Sequence, residues 1–103
     1  MQLPQLRQTS YADFLKGVAN AAHRPTAEVS AQIADAKARM AIYGSNSVLE
    51  KLAAFDESGA TLANDASRRA FLLMTEQMRA EGSSGAPKDG VLATILFGGR
   101  RAS

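Results

Sequence analysis

The chain contains no cysteine. That absence removes disulfide bonds and thiolate catalysis, and it suits a reducing compartment. It has one histidine, His23. With no second histidine and no cysteine to share an ion, a conventional zinc site lacks its ligands. A lone imidazole at a helix end reads as a solvated side chain stabilised by the helix dipole. No apolar run approaches the roughly 18–20 residues of a membrane span. The longest, Val91 to Phe97, is broken by Ala93 and Thr94. Met1-Gln2-Leu3-Pro4 lacks the charged and apolar blocks of a signal peptide. These absences set the expectation of a cytoplasmic chain without a membrane span, peripheral to a membrane only if an N-terminal anchor has been removed.

Excess charge is also scarce. Twelve basic residues against ten acidic leave a net charge of +2, and the pI near 9.3 reflects a small arginine excess. A nucleic-acid footprint needs lysine and arginine gathered on one face. Here they are scattered apart from Arg68-Arg69 and Arg100-Arg101. These four arginines are the candidate partner-contact residues. Nucleic acid is disfavoured as that partner, and an arginine pair also reads as an ordinary solvated helix face.

Catalytic and ligand-binding patterns fail in turn. Asp56 and Glu57 are adjacent, so on a helix they point apart, whereas acid–base chemistry needs two converging groups. Nothing in their spacing brings Asp13, Asp35 and Glu76 together. The stretch from Asp56 to Asp65 resembles a calcium loop, but its glycine is misplaced and no glutamate closes twelve residues. Gly82 to Gly85 and Gly98-Gly99 match neither phosphate-binding glycine motif and follow no strand. Ser45, Ser47 and Ser83 have no base nearby in sequence. The sequence thus assigns no catalytic residue, no cofactor and no metal, and reads as a non-enzyme.

What is present is helix. The 103 residues suit one domain, expected over 1–99, with a polar tail over 100–103. Apolar residues make up 46% of the chain, but many are alanine, which favours helix and buries little area. The core is therefore expected to be thin, built on Phe14, Leu15, Val18, Ile33, Met40, Leu52, Phe55, Leu73, Met74 and Ile95. A thin core favours self-association or a partner.

The fold class is all-α, a small bundle of four to five short helices. Tyr11, Phe14, Leu15, Val18 and Ala22 recur at three- and four-residue steps, one face of a first helix. It should end near His23, because Pro25 disfavours the helical conformation at Arg24. Gly17 inside it marks a place where another helix can approach closely. Thr26 is the expected cap of a second helix, whose Val29, Ile33, Ala36, Met40 and Tyr43 step in a heptad-like 4-3-4-3 seam. Asp35 and Arg39 form a favourable pair four apart on it. Gly44 is expected to end it as a left-handed cap. Ser47 with Glu50 matches the Ser-x-x-Glu capping box of a third helix, making Tyr43 to Ser47 a close junction. Thr61, Asn64 or Asp65 caps a fourth, with Ala70, Leu73, Met74, Gln77 and Met78 inward and Phe71 beside them. Asp89 then opens a short last helix, Gly90 to Phe97.

Taken in order, Tyr11-Ala12-Asp13-Phe14-Leu15, Tyr43-Gly44-Ser45 before Val48-Leu49-Glu50, Met78-Arg79, and Asp89 ahead of Val91-Leu92-Ala93 resemble a family. It is a widespread group of short bacterial and mobile-element helical proteins, mostly uncharacterised. Many members also carry one N-terminal transmembrane helix, which this sequence does not show. The resemblance spans roughly Tyr11 to Phe97. It implies an all-α module without an established activity, and it supplies no catalytic residues. The expected function is a non-enzymatic protein–protein interaction module, acting as a homodimer or a small accessory subunit. The alternatives are a small inhibitor or regulator from a phage or mobile element, binding a host or defence protein, and a weak nucleic-acid binder.

Overall fold

A computed structural model of the chain describes residues 3–82 and 95–97. It contains four helices: α1 Leu3–His23, α2 Ala27–Tyr43, α3 Asn46–Glu57 and α4 Asp65–Glu81. Residues 95–97 are helical as well, and no strand occurs among the described residues. No helix among them is long and apolar enough to cross a membrane. The expected Asp89 cap, most of the last helix and the tail over 100–103 lie outside the described residues.

Each helix boundary has a local cause. Pro4 falls in the first turn of α1, where a missing N–H costs nothing, and Pro25 ends the helix just after His23. Thr26, in extended backbone, accepts a hydrogen bond from the Val29 N–H at 3.1 Å and starts α2. Asn64 does the same for α4, accepting from the Ser67 N–H at 2.7 Å. Gly59 closes α3 at a φ of 114°, in the left-handed half of backbone space that glycine enters without steric cost.

The α2–α3 junction differs from the sequence expectation in two respects. Ser45, not Ser47, caps α3, and its Oγ accepts from the Val48 N–H at 3.1 Å. Ser47 is already inside the first turn, so Glu50 is not recruited to a capping box and stands exposed. Gly44 is not left-handed; its φ and ψ are −72° and 156°. Its requirement is space, since a Cβ there would lie 2.6 Å from the Met40 carbonyl oxygen. Only Gly44 and Ser45 separate the two helices.

The chain packs as two helical hairpins, α1 with α2 and α3 with α4. In the first, the 4-3-4-3 seam of α2 turns inward, with Ala36 and Met40 fully buried. A Cβ on Gly17 would sit 2.8 Å from Ile33 Cγ1, so the glycine permits the close approach of α1 and α2. Between the hairpins Phe14 meets Phe55 edge-on at 6.2 Å, and within the second hairpin Phe55 meets Phe71 at 5.3 Å. Tyr11, Val18, Val48, Leu52, Met74 and Met78 complete the core. Two expected core residues are not in it: Leu73 is 44% exposed and Ile95 is 70% exposed. Leu15 and Ile33 are only partly buried.

Candidate functional site

The polar residues gather in three places. The first is at the α2–α3 junction. Ser45 Oγ donates to Glu81 Oε2 at 2.5 Å, and the Ser45 N–H donates to Tyr11 Oη at 3.0 Å. Tyr11 Oη in turn donates to Glu81 Oε1 at 3.3 Å, and Gln77 Nε2 donates to Glu81 Oε2 at 2.9 Å. Beside them Arg7 Nε donates to the Tyr43 carbonyl at 2.6 Å. Burial pushes the Glu81 carboxyl up, but hydrogen bonds from Ser45, Gln77 and Tyr11 with the charge of Arg7 outweigh it, and the pKa is lowered. Both carboxylate oxygens are occupied by the chain's own donors. The arrangement therefore acts as a latch joining α1, α4 and the α2–α3 junction, rather than as a group offering a base to a substrate.

The second is on the α1–α2 surface. Arg39 Nη2 lies 2.8 Å from Asp13 and 2.9 Å from Asp35, and Arg39 Nε donates to Asp35 at 3.0 Å. Two of the three carboxylates considered from sequence thus meet, but on an arginine that neutralises them. Glu76 stands exposed on α4. Among the described residues no group of three or more histidine or acidic side chains is placed to hold a metal ion.

The third is a groove between α3 and α4, with a volume of about 280 Å³. Ala54 of α3 and Ala66 and Ala70 of α4 line it, together with half-exposed Leu73. Glu50 and Lys51 line it from α3 and Arg69 from α4. Among the described residues none of these three charged groups has an ion-pair partner. A smaller concavity of about 130 Å³ beside Phe14, Ile33 and Phe55 has the ion-paired Lys37 and Asp56, 2.8 Å apart, in its lining.

The structure separates the candidate arginines. Arg69 lines the groove. Arg68 turns inward: its Nε donates to the Leu62 carbonyl at 2.7 Å, its guanidinium lies 5.7 Å from the centroid of the Phe97 ring, and Asp65 is 3.9 Å away. Arg100 and Arg101 lie outside the described residues. Sequence reasoning missed Glu50, Lys51 and Leu73 as groove residues. The sequence pattern places Glu50 in a capping box and Leu73 in the core.

Comparison with known proteins adds no relative: no family model, no curated protein and no solved structure matches this chain.

Proposed function

We propose that this protein is a non-enzymatic helical module that acts by contacting another polypeptide through the α3–α4 groove. The observation that carries the reading is Leu73, 44% exposed in an alanine-lined groove whose charged rim has no ion pair among the described residues. An apolar centre with a polar rim is the anatomy of a protein interface. Small residues in the groove let a facing helix approach closely, as Gly17 does inside the bundle. The resemblance to mobile-element proteins supports a narrower form, a small inhibitor or regulator of a host or defence protein. The nucleic-acid reading is weakened by Arg68, whose guanidinium is engaged within the fold.

Site-specific photo-cross-linking in producing cells tests the proposal. A photoreactive residue at position 70, in the groove, is expected to yield a discrete polypeptide adduct. The same probe at position 34, on the exposed side of α2, is expected to yield none. Equal labelling from both positions, or none from position 70, would sink the reading.

A further inference from the structure

The cavity beside Phe14 and Phe55 lies where four segments of the chain converge. Phe14 and Val18 of α1, Ile33 of α2, Phe55 of α3 and Leu62 of the α3–α4 loop line it. Its volume of about 130 Å³ is close to the ~150 Å³ of an engineered apolar cavity that takes up benzene. Small-molecule sites occur between the helices of bundles. We infer that this cavity is a binding site for a small, neutral molecule built on a single aromatic ring.

The size of the site follows from small residues in its walls. Ala21, Ala22 and Ala60 all line it. Ala21 is half-buried and follows Phe14 and Val18 at helical spacing, so it belongs to the same inward face of α1. Its methyl group stops short where a larger side chain would fill the space. One ring fits there, and two fused rings do not.

The wall formed by the α3–α4 loop is fixed in place. The Ala60 N–H donates to the Phe55 carbonyl at 3.0 Å, and the Thr61 N–H donates to Ser67 Oγ at 3.0 Å. Ala60 has a φ of 52°, a left-handed conformation uncommon for a residue with a side chain. Backbone strain of this kind persists only where surrounding contacts impose it, and it gathers at ligand clamps and switch regions. A loop held in this way does not sag into the cavity.

Charge sets the class of ligand. Lys37 Nζ and Asp56 Oδ2 also line the site, 2.8 Å apart and both partly exposed. Each already neutralises the other. A charged ligand would lose hydration against the apolar wall without gaining an unpaired counter-charge, whereas a neutral ring loses little.

Titration of the isotope-labelled full chain with toluene, followed through its amide chemical shifts, tests this. The amides of Val18, Ile33, Phe55 and Leu62 are expected to shift together and to saturate. The expected Kd is on the order of 0.1–1 mM, within reach of so few non-hydrogen atoms. Naphthalene, which is too large, and benzoate, which is charged, are each expected to bind at least about tenfold more weakly. Ala21→Leu and Ala22→Leu each extend a side chain towards the space and are expected to abolish saturation. Ala22 is exposed, so its variant is expected to keep the parent circular dichroism spectrum even if Ala21→Leu perturbs the fold. An absence of saturable shifts up to the solubility of toluene overturns the inference. So does saturation undiminished in a folded Ala22→Leu chain, or a response centred on Ala54, Ala70 and Leu73, which would place the ring in the α3–α4 groove. The site is separate from that groove, so none of these results decides the interaction-module reading.

Discussion

Glu81 illustrates how one residue connects distant parts of a small chain. It receives hydrogen bonds from Tyr11, 70 positions earlier, and from Ser45, 36 positions earlier. Hydrogen bonds to a charged group contribute about 1.5–3 kcal/mol each where well formed, so this carboxylate is worth more than its place near a helix end suggests. Its pKa is lowered in the folded state. The stabilisation is therefore complete above the ordinary value of 4.5 and is lost as pH falls through the folded value. Glu81→Gln is expected to lower the urea midpoint at neutral pH, and the gap to the parent should narrow steadily as the solution is acidified below that value. A gap independent of pH would show that the charge contributes nothing. Backbone position, not residue type, decides which serine caps α3. Ser45 and Ser47 are both good caps by type, but Ser45 sits where the backbone is extended, a distinction that the letters alone do not carry.

At the scale of elements, the helices were legible where chemistry marks their ends. Pro25 and Thr26 are unambiguous, and the observed α1 and α2 follow them. The inner face of α4 was less so. Phe71-Leu72-Leu73-Met74 is four apolar residues in a row, which leaves the helical phase open. The buried set is Ser67, Phe71, Met74, Thr75 and Met78, and two of those five are polar. They can be buried because their hydroxyls are used: Ser67 Oγ accepts from the Thr61 N–H at 3.0 Å, and Thr75 Oγ1 donates to the Phe71 carbonyl at 2.9 Å. A hydrophobic pattern cannot register such a partner, so the face it draws includes Met74 and Met78, which are buried, but also Leu73, which is not. The two hydroxyls should also respond differently to removal. Ser67→Ala strands a loop N–H and is expected to cost about 1–3 kcal/mol. Thr75→Val removes a bond to a carbonyl already served by the helix and is expected to cost less than about 1.5 kcal/mol. Chemical denaturation of the two variants checks the order, and equal losses would contradict it.

For the whole molecule, the heptad-like seam of α2 is used internally against α1, leaving the α3–α4 hairpin to present the outward groove. That groove could not be read from sequence because it belongs to neither helix. It arises from the way Phe55 and Phe71 draw the two together, leaving alanines between charged residues on the other side. Arg69, a candidate from the sequence, lies there, whereas its neighbour Arg68 is held by the Leu62 carbonyl, a loop contact with no sequence signature. The position of the latch bears on how the chain is made. Synthesis proceeds from the N-terminus, so Tyr11 and Ser45 leave the ribosome well before the carboxylate that joins them. A chain ending at Glu76 retains α1, α2 and α3 but lacks the Glu81 carboxylate that joins Tyr11 and Ser45. Limited proteolysis of this truncated chain, released and purified, is expected to cut within α3, and the full-length chain to resist cutting there. Of α1 to α4, the last to emerge is the one that fastens the first.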